Sequence, residues 1–260
     1  MNYITVYFSP TGTAEKSSVS MIEALAEGKE FGRVDLTAYS TRETEKVFST
    51  DDFVVFGTPV YGGRIPKVAA QRFARMRGQQ TPCIVTVTYG NRDYDDALLE
   101  LSDLVQANGF VVQAAAALIG QHTFGQIQVG RPDEDDLKEN QQFVKTFLEK
   151  AEKNPRKGSV KLSIKGNHPY KAGGKGGMFR PLTADTCIQC GLCVKNCPTG
   201  AIDSDCSTID SGRCISCFRC IRRCPVQAKN MNDSSYLAFA EDFSKKLATR
   251  RENEYFLPQK

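Results

Sequence analysis

Short runs rich in β-branched and aromatic residues alternate with stretches whose apolar positions recur every three or four residues. "YITVYF" (3–8), "DFVVFG" (52–57), "PCIVTVT" (82–88) and "FVVQAAAALIG" (110–120) predict strands, and "GRVDLT" (32–37) predicts a weaker one. Between them Val19, Ile22 and Leu25 share one helix face, as do Leu98, Leu101 and Val105, and later Leu137, Val144 and Leu148. Strands that are apolar almost throughout need cover on both sides. The series therefore predicts an α/β fold over residues 1–153, a doubly wound parallel sheet with right-handed crossovers.

The alternation stops near residue 154. Residues 154–182 hold glycines and basic side chains without a sustained period and predict a connector, flexible around Gly173–Gly177. A cysteine-dense unit (183–232) follows, and in the remaining tail (233–260) Tyr236, Ala240, Phe243 and Leu247 fall on one face of a helix that must pack against a domain. Length fits this division, since 260 residues suffice for one full core and a smaller unit. Charge sharpens it: residues 1–153 hold 16 Lys+Arg against 21 Asp+Glu, whereas 154–260 hold 18 against 9, so the halves attract. No apolar run of about 18 residues occurs, and "MNYITVYF" lacks a basic segment followed by a long apolar one. Neither a membrane span nor a signal peptide is expected, and the expected compartment is the cytoplasm.

Nine of the ten cysteines lie between Cys187 and Cys224. They form a repeat at an offset of 27 residues, "CIQCGLCVKNCPTGA" from Cys187 and "CISCFRCIRRCPVQA" from Cys214, each a C-x2-C-x2-C-x3-C-P run. Three closely spaced thiolates can cap three corners of a four-iron cubane, leaving the fourth corner to a cysteine from elsewhere. Structural zinc is the alternative, but it favours two separated C-x2-C pairs around one ion. Ile188 and Ile215 match between the repeats and would shield a cluster from water. Cys206 and Cys83 match no repeat position and read as ordinary thiols, with a redox role for Cys206 only if it is exposed.

The cysteine block resembles the bacterial 2x(4Fe-4S) ferredoxins, which implies a small α+β unit with crossed ligation. The implied sets are Cys187, Cys190, Cys193 with Cys224 for cluster 1, and Cys214, Cys217, Cys220 with Cys197 for cluster 2.

Three loops at the carboxyl ends of the predicted strands carry the candidate chemistry of the first unit. "SPTGTA" (9–14) joins a strand to a helix, where unpaired N–H groups, the hydroxyls of Ser9, Thr11 and Thr13, and a close approach at Gly12 suit a phosphate monoester. A capped turn has the same composition. "GTPVYGGRIP" (57–66) and "TYGNRDYDDA" (88–97) place tyrosine beside glycine, and neither a Walker A nor a G-x-G-x-x-G pattern occurs. Together these loops resemble flavodoxins. The resemblance implies a 2-1-3-4-5 strand order and bound FMN, with phosphate at Ser9, Thr11, Gly12, Thr13 and Ala14 and the ring system between Pro59, Val60, Tyr61, Gly62 and Tyr89, Gly90, Asn91, Asp93, Tyr94. Tyr94 is the implied outer stacking ring and Asn91 the contact to the pyrimidine edge. The chain departs from the pattern in having Ala14 where a threonine usually ends the phosphate loop, and in having no tryptophan. His122 follows the fifth strand onto the same rim.

The whole chain is similar to flavodoxin-ferredoxin fusion proteins of anaerobes, the ferrodoxin family. This implies electron transfer between FMN and two 4Fe-4S clusters, linking two-electron to one-electron traffic, with redox proteins as partners. The alternative is a flavin-dependent reductase of a small acceptor such as a quinone; a zinc-ribbon nucleic-acid binder is disfavoured with the zinc reading. Asp93, Asp95 and Asp96 beside one loop, and Arg219, Arg222 and Arg223 in the second cysteine run, suggest charge steering of the small unit onto the flavin rim.

Overall fold

The computed structural model describes residues 1–153, 162–173 and 179–258. Labels follow chain order: β1 (Asn2–Tyr7), α1 (Thr13–Ala26), β2 (Phe31–Asp35), β3 (Lys46–Phe48), β4 (Asp52–Pro59), α2 (Lys67–Phe73), β5 (Met76–Gly78), β6 (Thr81–Tyr89), α3 (Ala97–Ala107), β7 (Phe110–Ile119) and α4 (Glu134–Lys153). The long strands run parallel in the order β2-β1-β4-β6-β7, which is 2-1-3-4-5 when the short β3–β5 ladder is set apart. This is the flavodoxin-like doubly wound sheet.

Two-residue alternation decides which side each residue serves. Phe53 and Val55 pack with Met21, Ile22 and Leu25 of α1 and Phe143, Val144 and Phe147 of α4. Their neighbours Val54 and Phe56 face the other way, onto Phe73 of α2 and Leu98, Leu101 and Val105 of α3. Phe56 is fully buried and meets Phe73 and Phe110 edge-on. A side chain of this size contributes about 1.5–3 kcal/mol by burial. Cys83 is fully buried in the same layer, an ordinary core thiol.

The second unit is built from β8 (Leu182–Thr183), α5 (Leu192–Asn196), α6 (Arg219–Arg222) and β9 (Lys229–Asn230), with β8 antiparallel to β9. The sequence repeat is also a backbone repeat. Gln189, Gly191 and Gly200 have φ of 52°, 73° and 62°, and the residues 27 positions on, Ser216, Phe218 and Gln227, have 51°, 55° and 54°.

Two segments hold more structure than their sequences show. The described part of the connector, 162–173, is docked. Leu162 and Ile164 pack on the α2/α3 core, Gly166 lies so close to Leu99 that a Cβ there would sit 2.8 Å from its side chain, and Asp96 accepts from the backbone N–H groups of Asn167 (2.9 Å) and Lys171 (2.7 Å). Of Gly173–Gly177, all but Gly173 lie outside the described residues. The tail is also more than a helix. After α7 (Ser234–Lys246), capped by Asp233 accepting from Tyr236 N–H, the chain returns as β10 (Glu254–Phe256) antiparallel to β7 and covers its edge. Tyr236 and Ala240 bury against Phe218 and Met231 of the cysteine unit and against Phe124 of the first unit. The tail thus packs on both.

Candidate functional site

The eight repeat cysteines line two cavities. One is bounded by Cys197, Cys214, Cys217 and Cys220 with Pro198, Ile202 and Ile215; the other by Cys187, Cys190, Cys193 and Cys224 with Cys206 and Lys229. The fourth cysteine of each run therefore faces the three thiols of the other run. Matched N–H donors support these fourth thiols, Ala201 to Cys197 Sγ (3.3 Å) and Ala228 to Cys224 Sγ (3.2 Å). Among the described residues no three His, Cys, Asp or Glu side chains close on a single ion. Thiols ringing a cavity fit a multi-atom group with one ligand per corner better than a tetrahedral zinc ion, whose four bonds converge on a point.

Burial raises the thiols of Cys214, Cys217 and Cys220, pushing the last up to about 12. At Cys224 burial also raises, but backbone N–H groups of Lys229, Val226, Ala228 and Gln227 outweigh it and hold the thiol below its ordinary value. Cys206 is 1% exposed and shares the outer cavity, so the exposure that a redox role requires is missing.

At the carboxyl end of the sheet, Ser9 is buried, with its Oγ accepting from Glu15 N–H (2.9 Å) and its own N–H donating to Thr37 Oγ1 (2.8 Å). Thr11, Gly12 and Thr13 are half-exposed, and Gly12 has φ 89°, a conformation that strains any L side chain. Among the described residues the N–H groups of Thr11, Thr13 and Ala14 donate to no acceptor. A helix start with such donors suits an anion. Ala14 itself is fully buried, its carbonyl against Gly57.

Pro59, Val60 and Tyr61 are half-exposed beside this loop, and Gly62 is exposed at φ 63°. Thr88 Oγ1 is buried there without a partner among the described residues. The half-exposed Tyr61 keeps its hydroxyl inside; burial raises it well above its ordinary value, with nearby Cys217 adding and a side-chain bond to Thr123 opposing. Tyr61 thus stands between the sheet's carboxyl end and the inner cysteine cavity. Ile215, from that cavity, packs on the α2/α3 core.

Two buried arginines join the units. Arg219, between Cys217 and Cys220 in the chain, donates through Nη1 to the carbonyls of Ser9 (3.2 Å) and Pro10 (2.9 Å). Arg72 answers from α2, donating to the carbonyls of Leu36, Thr37 and Ala38 and across to that of Pro198, next to Cys197. Arg222 and Arg223 are exposed. The sequence signalled a basic run but not which member would be buried.

The third loop differs from its implied role. Tyr94 is fully buried, packs on Tyr89, lies under Lys165 and donates to Glu254 of β10 (2.7 Å), leaving no face for an outer stacking ring. Asn91 Nδ2 donates to the carbonyls of Leu247 (2.9 Å) and Thr249 (2.6 Å), so its amide holds the tail instead of a ligand edge. Asp93 pairs with Lys165, Asp95 with Arg92 and Lys171. The acidic cluster thus meets the connector and its own loop rather than the arginines. Gly90 touches His122, where a Cβ would fall 2.2 Å from the imidazole, and His122 packs against Phe124 and Phe243.

A flavodoxin-like sheet is thus joined to a unit with two four-cysteine cavities. Residues 186–228 match the family model described as a 4Fe-4S dicluster domain. Similar solved structures include a Streptococcus pneumoniae TIGR4 flavodoxin (15% identity, 58% of this chain and 99% of that one, TM-score 0.39) and flavodoxin 2 from Bacillus cereus (14%, 58% and 99%, 0.41). An NADH:FMN oxidoreductase in its apo form is also similar (12%, 61% and 94%, 0.40). Comparison with curated proteins gives no match. Among the described residues no helix is long and apolar enough to cross a membrane.

Proposed function

We propose that the chain transfers electrons between an FMN in the flavodoxin-like unit and two 4Fe-4S clusters in the cysteine unit. The observation that carries this is the crossed pair of four-thiol cavities, one of which abuts the loop of Tyr61. When bound, FMN exchanges one or two electrons and each cluster one, which links paired to single-electron traffic. In this reading Ser9, Thr11, Gly12 and Thr13 and the backbone at Ala14 hold the phosphate, and Pro59–Gly62 flank the ring system. Cys197, Cys214, Cys217 and Cys220 hold the cluster nearer the flavin, while Cys187, Cys190, Cys193 and Cys224 hold the outer one. Exposed Cys190, Ile188, Leu192 and Val226 make the outer cavity the face for a redox protein partner.

Coverage of the third loop by Lys165 and residues 247–251 favours a carrier over a reductase of small acceptors, because it narrows access to the rim. Anaerobic purification followed by flavin, iron and sulfide quantification tests the reading. Stoichiometric FMN with about eight iron and eight sulfide per chain is expected. Zinc without sulfide would overturn it, and fast, saturable quinone turnover would favour the reductase.

A further inference from the structure

Arg219 is 7% exposed, yet its Nε has no partner among the described residues. Its other bonds go to neutral oxygens: Nη1 to Ser9 and Pro10, and Nη2 at 3.5 Å from Asn196 Oδ1. Arginine keeps its charge in a protein, and a buried cation is strongly disfavoured unless an anion compensates it. The two carbonyls it grips lead directly into the segment whose Thr11, Thr13 and Ala14 N–H groups lack acceptors. The carboxylates of Asp35 and Glu15 and the thiol of Cys217 act on it only at a distance, and the flanking Cys217 and Cys220 would with a 4Fe-4S core form a group of about −2.

We propose that Arg219, supplied by the cysteine unit, is a positioning and charge-compensating residue of the flavin phosphate site, so that the phosphate and the inner cluster bind cooperatively. The proposal rests on the FMN reading above. The inner cluster fixes the Cys217–Cys220 segment that carries the arginine, and the arginine so placed compensates the phosphate and fixes the carbonyl side of its loop. Linkage makes the effect mutual: loss of the inner cluster weakens phosphate binding by the factor by which loss of the phosphate weakens the cluster. Specificity follows, because FMN carries the phosphate and riboflavin does not.

The test measures FMN and riboflavin affinities by flavin fluorescence quenching on the full chain with its iron content verified, in wild type, Arg219→Gln and Arg219→Lys. Arg219→Gln is expected to weaken FMN by about tenfold, leave riboflavin unchanged, and be partly rescued in Arg219→Lys. Equal losses for both flavins would reduce Arg219 to a docking contact and overturn the proposal, as would no loss for either. If Arg219→Gln loses iron, the same FMN-against-riboflavin comparison is read on Arg219→Lys, where an unchanged FMN affinity relative to wild type overturns it. A wild-type chain that binds neither flavin would mark failure of the FMN reading itself.

Discussion

Replacing Cys197 by alanine separates crossed ligation from a scheme in which each run keeps its own four cysteines. Cys197 follows Cys187, Cys190 and Cys193 in the chain but shares its cavity with Cys214, Cys217 and Cys220. One cubane loses a thiolate and the other loses none, so about half of the iron and sulfide should remain. The fold should survive, since the side chain gives up one N–H···S bond from Ala201, worth about 1 kcal/mol. Native alkylation read by mass spectrometry locates the loss. Cys217 and Cys220 are buried and Cys214 is half-exposed, so Cys214 should react first while Cys190, the exposed member of the other set, stays protected. Cys224→Ala should invert the pattern. Alkylation of Cys190 in Cys197→Ala, with Cys214 protected, would refute the crossed scheme.

Asp136→Ala strands Arg131, both being 2% exposed in their side chains, and should cost about 3–5 kcal/mol in urea unfolding; a loss under about 1 kcal/mol would contradict the geometry. Ala14→Thr should destabilise the chain by about 1–3 kcal/mol without tightening FMN, because the position is fully buried and the added atoms overpack it. Burial, with the charge of Arg92, pulls His122 down to about 4. The unfolded chain then binds more protons between about 6.5 and 4, so stability should drop as pH is lowered through that window, and His122→Phe should flatten the dependence. Reversing Arg222 and Arg223 to Glu should leave FMN-to-cluster transfer unchanged at low salt, as measured by stopped-flow, because both side chains are exposed and the inter-unit contacts belong to Arg72 and Arg219.

The sheet was legible because each long strand is apolar on both faces, a pattern with few other uses in a chain of this kind. β10 was not, since three residues show no period and its meaning depends on an edge formed at β7. The repeat of the cysteine runs was readable at its 27-residue offset, which the backbone repeats at three left-handed positions, whereas the crossed sets were implied by the resemblance to two-cluster ferredoxins. Asn91 and Tyr94 misled for a different reason. Their partners lie 156 to 160 residues away, and nothing local distinguishes an amide that grips a tail from one that grips a ligand. Arg219, Arg222 and Arg223 are alike in type and nearly adjacent; only the helical turn between them decides which reaches the Ser9 and Pro10 carbonyls.

The fate of the acidic cluster shows what holds the units together. Asp93, Asp95 and Asp96 are the charges that long-range attraction would use, yet Lys165, Lys171 and the backbone N–H of Asn167 already satisfy them. The backbone donors hold the Asp96 carboxyl below the usual carboxylate range. Charge asymmetry between the halves is therefore spent largely in seating the connector along α3. The contact between units falls instead to two buried guanidinium groups on backbone carbonyls and to the apolar packing of Ile215, Phe218 and Tyr236. Exposed pairs weaken as salt shortens the Debye length, whereas buried contacts of this kind are screened far less. Because Arg219 and Ile215 both belong to the second cysteine run, the same short segment that lines the inner cavity also seats that cavity against the Ser9–Pro10 backbone and the α2/α3 core.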